Sequence, residues 1–225
     1  MIHVAGIKLK EKTLHKRYGE KAICIDVTSK AEPDYIGLSP FFPHGDIPVP
    51  FSDGITGCSV EGIWQGLKVF NNHDVDMDTI KKTTMKNIKR TIRAFGYPKG
   101  HRKGINGEEL LDYFEARILI YLPIYKWVLD NKCQDALVQI KKQAETNDVV
   151  LLDYATNGNL FLPNKPLSHA ALIKFYLEDR YPDSKELIER YHKDPDIVNK
   201  EVERIKSEKQ HKSQGSNPNQ TSLDF

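Results

Sequence analysis

Glu61, Trp64, Gln65 and Lys68 follow one another at spacings of three and four, the interval that brings side chains onto one helix face. An acid, an aromatic ring, an amide and an ammonium on one stripe suit a charged, ring-bearing ligand. Glu61 falls in the first turn of the expected helix, where free amides and the helix dipole stabilise a carboxylate. There it could act as a general base, or orient a water or a ribose hydroxyl. The plainer reading is an acid that stabilises a helix start and a side-chain network beside a core tryptophan.

Other clusters carry chemistry-bearing residues. Residues 96–104 (GYPKGHRKG) hold Lys99, His101, Arg102 and Lys103 between glycines at four-residue intervals. Glycines let backbone amides approach an anion and the cations neutralise it, which suits a pyrophosphate or a nucleic-acid phosphate. The spacing is neither a Walker motif nor a dinucleotide fingerprint, and a solvated basic turn is the simpler alternative. Asp153, Tyr154, Asn157 and Asn159 follow an apolar run, where a strand entering a turn commonly lines a cleft; turn chemistry alone would also explain the asparagines. The eight histidines have no metal-ligand spacing, and no GxSxG or Cys–His pair points to a nucleophile. No metal and no cofactor are expected.

The elements that must position these residues can be read in outline. Residues 22–27 (AICIDV) and 149–154 (VVLLDY) are β-rich apolar runs that predict buried strands. The Pro- and Gly-rich stretch 32–57 predicts an ordered loop, packed down by Tyr35, Ile36, Leu38, Phe41, Phe42 and Phe51. Ser59 is the N-cap of a helix carrying Val60, Ile63, Trp64, Leu67 and Phe70 at helical spacing. Further helices are expected over 78–95, capped by Asp78, over 107–131 with a bend at Pro123, over 133–145, over 168–180 and over 184–205.

The 225 residues suffice for one sizeable core. Hydrophobic residues make up 39% and charged residues 28%, a globular composition, and the net charge of +2 leaves any nucleic-acid attraction to local patches. Three scattered cysteines without CxxC exclude a disulfide framework and predict a reduced, cytoplasmic setting. No signal-peptide pattern and no bilayer-length apolar run are present, so no membrane partner is expected. Residues 1–205 therefore read as a single compact, mostly helical α+β domain with a few short strands. Residues 206–225 read as a disordered polar tail, since they bury too little to offset ordering entropy. Its end carries Gln220, Leu223 and a terminal Phe225, a small apolar anchor on a polar tether, similar to peptides that dock on replication sliding clamps.

Taken in order, LSPFFP (38–43), SVEGIWQGLK (59–68), the lysine-rich stretch to Gly96, Ala116-Arg117 and VVLLDY (149–154) resemble the NADAR (YbiA-like) family. Its members carry a serine-containing loop, a Val-Glu helix with downstream Gln and Lys, and a strand that ends before a polar turn. The likeness runs from about Tyr35 to Asn159. It implies an α+β domain that hydrolyses N-glycosidic bonds of ADP-ribosyl or related ribosyl-phosphate conjugates, including ADP-ribose on guanine in nucleic acid. By motif, Glu61 matches the catalytic glutamate, with Gln65, Lys68 and Ser39 in the ligand site. The chain departs from the pattern in three places. Pro40 replaces an asparagine, residues 104–107 stand where a tryptophan is expected, and the downstream aspartate falls near 157–159, with Asp153 close by.

Two functions follow as expectations. In the first, Glu61 and Asp153 catalyse glycoside hydrolysis, with Trp64 or Tyr154 under the ligand ring and Lys68, Lys99, Arg102 and Lys103 on its phosphates, in a DNA-repair or phage-defence setting. In the second, the same site binds an ADP-ribose-like nucleotide without cleaving it and the tail recruits the protein to a sliding clamp.

Overall fold

The computed structural model describes residues 1–163 and 165–214, with side chains through 208. Helices account for 44% of the chain and the strands are short, giving a compact α+β fold. In chain order the elements are β1 (Ile2–Gly6), α1 (Glu11–Tyr18), β2 (Ile23–Asp26), α2 (Pro33–Ile36), β3 (Ile47–Pro48), β4 (Thr56–Gly57), α3 (Val60–Gly66), β5 (Lys68–Val69), α4 (Met77–Ile80), α5 (Ile92–Phe95), β6 (Gly100–Arg102), β7 (Leu110–Leu111), α6 (Tyr113–Ala116), a π turn (Arg117–Tyr121), α7 (Leu122–Lys132), α8 (Gln134–Thr146), β8 (Val149–Asp153), α9 (His169–Leu177), α10 (Ser184–Lys193) and α11 (Ile197–Gln214).

The sheet that matters most has three parallel strands in the order β1–β8–β2. Its centre, β8, is paired along both edges, and Val149, Val150 and Leu151 are fully buried. Burial on both faces is why this strand reads as an uninterrupted apolar run. Leu14 of α1 packs with Ala5 and Val150 in a small cluster, apart from the large core that gathers α3, α7, α8 and α9. The C-terminal end of β8 delivers Asp153 to the edge of that core.

Helix α3 begins where its cap predicts. Ser59 Oγ accepts the Gly62 amide at 3.0 Å. Every residue of α3 is buried, because it packs backbone against backbone on the segment 76–80. A Cβ on Gly66 would lie 2.8 Å from the Asp76 carbonyl oxygen and 2.4 Å from Ile80 Cγ1; one on Gly62 would lie 2.9 Å from the Thr79 carbonyl oxygen. Gly66→Ala should therefore destabilise the protein by ~1–3 kcal/mol, although alanine is the better helix former. Urea unfolding measures this; an unchanged or raised midpoint would mean that the close approach is absent.

Three expected helices differ in extent. Residues 78–95 form only two single turns, α4 and α5, and the cap of α4 is Asp76 rather than Asp78. Arg90 dominates the intervening stretch. Its amide donates to Gln65 Oε1 and its guanidinium to the carbonyls of Gln65, Lys68 and Asp74, a tertiary anchor that overrides local propensity. The expected 107–131 helix starts at Tyr113, behind an Asp112–Glu115 capping box, since Leu110 and Leu111 pair with β6. Its irregularity falls at the π turn, just before Pro123, where the Leu122 amide reaches back to the Arg117 carbonyl. A proline ring would collide with the carbonyl four residues earlier, and a widened turn relieves that contact. Finally, the expected 184–205 helix is two helices, α10 and α11, and α11 continues to Gln214, past the expected start of a tail at residue 206.

Candidate functional site

A cleft of about 480 Å³ opens between α3, the π turn, the end of β8 and the start of α9. Glu61, Trp64, Gln65 and Lys68 line it from α3, Ser39 from the proline-rich loop, and Asp153 and Tyr154 from β8 and beyond. The volume lies in the range of sites that hold drug-sized ligands.

Gln65 connects the charged groups of α3. Its Nε2 donates to Glu61 Oε1 at 2.7 Å, while its Oε1 accepts from Lys68 Nζ at 3.0 Å and from the Arg90 amide at 3.1 Å. A carboxylate only accepts and an ammonium only donates, so the orientation of the amide is fixed. Glu61 is 9% exposed, and its second oxygen has no hydrogen-bond partner among the described residues. That oxygen is free for a ligand or a water. Burial lowers the Lys68 pKa; nearby Glu61 opposes the shift, and Arg90 and Lys89 add to it. Lys68, Lys89 and Arg90 thus form a cationic end of the cleft. Lys89 lies 5.4 Å from the Phe41 ring, and Lys68 lies 5.9 Å from that of Trp64.

The floor is aromatic. Trp64 meets Tyr113 and Tyr121 edge-on, both with centroids 5.7 Å away, and lies 3.9 Å from His101 of β6 with the two rings tilted by 35°. His101 is 1% exposed and neither ring nitrogen has a partner. Burial, with Lys68 nearby, pushes its pKa down to about 3, so a neutral ring backs the tryptophan.

Asp153 is held differently from Glu61. Its Oδ1 accepts the Tyr154 amide, and its Oδ2 accepts from Ser168 Oγ at 2.7 Å, His169 Nδ1 at 3.1 Å and the Ala170 amide at 3.4 Å. Burial opposes its charge, but the hydrogen bonds and charge of His169, with Ser168 and Ala170, bring the pKa below the usual carboxylate value. His169 Nε2 also meets the Val27 carbonyl oxygen at 2.8 Å. The imidazole thus bridges the Asp153 carboxylate and the backbone after β2. Asp153 therefore orients the cleft wall, and both its oxygens are already taken.

Arg117, from the π turn, also lines the cleft. It is 2% exposed and has no carboxylate partner among the described residues. Its guanidinium donates to the carbonyls of Leu160, Leu162 and Lys165 and to the Tyr113 hydroxyl, stitching the segment after β8 onto the core.

Several expected site residues lie elsewhere. Lys99, Arg102 and Lys103 are not among the cleft residues. Residues 100–102 are a strand between β5 and β7, which turns the basic loop away from Glu61. Arg102 pairs with Asp74, Lys103 pairs with Glu109, and Lys99 is exposed. Asn157 and Asn159 also fall outside the cleft. Asn157 closes a local turn onto Asn159, whose side chain bonds Glu201. Gln220, Leu223 and Phe225 lie outside the described residues. A Cys–His approach does occur, with Cys133 Sγ 3.9 Å from His44 Nε2, but both bond the Gly37 carbonyl oxygen. Burial lifts the thiol to about 12, which removes the thiolate a nucleophile requires.

Thr28, Lys89, Arg90, Tyr113, Arg117, Tyr121 and His169 line the cleft without having been selected from the sequence as ligand or catalytic groups. The four-residue rhythm of Tyr113, Arg117 and Tyr121 was the available signal. In a regular α-helix each such step overshoots a full turn by about 40°. The wider π turn takes up the overshoot, so all three face one cleft.

The arrangement defines an α+β domain with a preformed cleft that pairs an available carboxylate with cations and aromatic rings. Residues 7–173 match the model of a family of unknown function, DUF6939, and the chain belongs to that family. Every cleft residue, from Thr28 to His169, falls within the matched span. No curated protein and no solved structure matches the chain. Among the described residues no helix is long and apolar enough to cross a membrane, and no cluster of metal-ligating side chains is present.

Proposed function

We propose that the cleft hydrolyses the N-glycosidic bond of an ADP-ribosyl or related ribosyl-phosphate conjugate. The observation that carries this is the free oxygen of Glu61, held at the aromatic floor of a cleft that Lys68 and Lys89 also line. Phosphates would meet Lys68 and Lys89, in place of the 96–104 loop. The ligand ring would lie against Trp64. Glu61 would accept a proton from the attacking water, and the buried carboxylates would stabilise the developing oxocarbenium charge. The resemblance of the 38–43 and 59–68 segments to the NADAR family supports the same chemistry.

A conjugate borne on nucleic acid fits the surroundings. Lys81, Lys82, Lys86, Lys89 and Arg93 follow one another with no acid between them, and the stretch reaches the cleft at Lys89, Thr91 and Ile92. Such a stretch supplies the phosphate contacts that position a strand.

A second reading, binding without cleavage, is favoured by Asp153, whose oxygens are taken, and by Pro40 at the pattern's asparagine. One experiment separates the two: incubation with ADP-ribosylated guanosine or DNA, with product detection, alongside calorimetry with ADP-ribose. Released ADP-ribose supports hydrolysis. Binding without product supports the second reading. Neither binding nor product overturns both.

A further inference from the structure

We propose that the Tyr121 hydroxyl is the hydrogen-bond donor to the leaving base, the partner that Glu61 needs and that Asp153 cannot be. This rests on the hydrolytic reading above.

The observations are geometric. Tyr121 lines the cleft with Glu61 and Asp153, and its ring lies edge-on to Trp64. The neighbouring tyrosines have assigned tasks: Tyr125 donates to the Leu38 carbonyl oxygen at 2.7 Å, Tyr181 to that of Leu122 at 3.0 Å, and the Tyr113 hydroxyl accepts from Arg117. The Tyr121 hydroxyl makes no hydrogen bond among the described residues. It is placed by a π turn, a costly local departure from the helix that recurs at functional sites. Burial, reinforced by the charges of Glu61 and Asp153, holds its pKa well above that of an ordinary phenol. It therefore remains a neutral donor throughout the range in which Glu61 could act as a base.

The step balances as follows. The water oxygen bonds to the anomeric carbon and passes a proton to Glu61. The carbon–nitrogen bond breaks and its electron pair stays on the leaving nitrogen heterocycle. Tyr121 hydrogen-bonds the heterocycle as the charge develops and keeps its own proton. The proton on Glu61 then returns to the heterocycle through solvent. By the same logic Asp153, its lone pairs engaged by four donors, is a positioning residue.

The test compares wild type with Tyr121→Phe in single-turnover hydrolysis of ADP-ribosylated guanosine and of an ADP-ribose conjugate that releases 4-nitrophenolate. The variant should lose ~100-fold in rate with guanine as leaving group, the scale of one removed oxyanion-hole donor. The loss should shrink with nitrophenolate, which leaves without help. ADP-ribose affinity, measured by calorimetry, and melting temperature should match wild type, because neither depends on a leaving base. Equal rates for wild type and variant on guanine, or an equal deficit on both substrates, would overturn the role of Tyr121 while the hydrolytic reading stands. Absence of turnover in wild type would overturn that reading and this proposal with it.

Discussion

Glu61→Gln should reduce release of ADP-ribose from ADP-ribosylated guanosine by at least ~100-fold, the lower bound for removing a positioned general base. The substitution is close to isosteric. A glutamine carbonyl oxygen at this position can still accept from Gln65 Nε2, so the relay from Gln65 to Lys68 and Arg90 survives. What is lost is the negative charge on the oxygen that faces the cleft. ADP-ribose affinity and unfolding midpoint should therefore stay near wild type while turnover collapses. Rate assays paired with calorimetry on both proteins check this. Equal turnover would remove Glu61 from the chemistry altogether.

Asp153→Asn should have the largest effect on stability. The side chain is almost wholly buried and its Oδ2 gathers Ser168, His169 and the Ala170 amide. Hydrogen bonds to a charged group are worth ~1.5–3 kcal/mol each, and weakening two of them here costs ~3–5 kcal/mol. For a chain of this size that is a fall in melting temperature of roughly 10 °C. The sign of the pH dependence follows from the depressed folded-state pKa. A carboxyl of this kind contributes stability that is fully present above the unfolded-state value of about 3.9 and is lost as pH falls through the folded value. The gap in unfolding free energy between wild type and Asp153→Asn should hold steady near neutrality and narrow below about pH 4. A gap that stays constant from pH 7 to pH 3 would mean that the ionised form is not what holds His169.

The two effects separate the cleft into a reacting part and a supporting part, and the sequence distinguishes them only incompletely. The stripe 61–68 was readable because its partners are close in sequence and Ser59 announces the helix. Strand β8 was readable because burial on both faces leaves an unbroken apolar run. By contrast β1 carries His3 and Gly6 within five residues, and its strand character comes from pairing with β8, nearly 150 positions away. The basic loop at 96–104 looked like a phosphate cradle on composition alone. Pairing with β5 and β7 decides its direction, and those two-residue strands have no local signature. Arg90 and Arg117 carry no local signature of burial, yet each is buried against backbone carbonyls contributed by distant loops. The side of the helix on which Tyr121 emerges depends on a single widened turn, which residue periodicity cannot reveal.

The anchoring of Leu160, Leu162 and Lys165 by Arg117 bears on how a ligand would enter and leave. Swinging aside these residues, which lead into the cleft-lining Pro166 and Leu167, would strand a guanidinium and the carbonyls of Leu160, Leu162 and Lys165 together, each costly to leave unpaired away from water. On the proposed reading, a ligand would reach the cleft past the exposed Ile92 and Tyr154 at its edge and not through a hinged door. A frame of that kind would capture its guest by charge-guided diffusion, and the capture rate would then follow ionic strength and not the tempo of a protein motion.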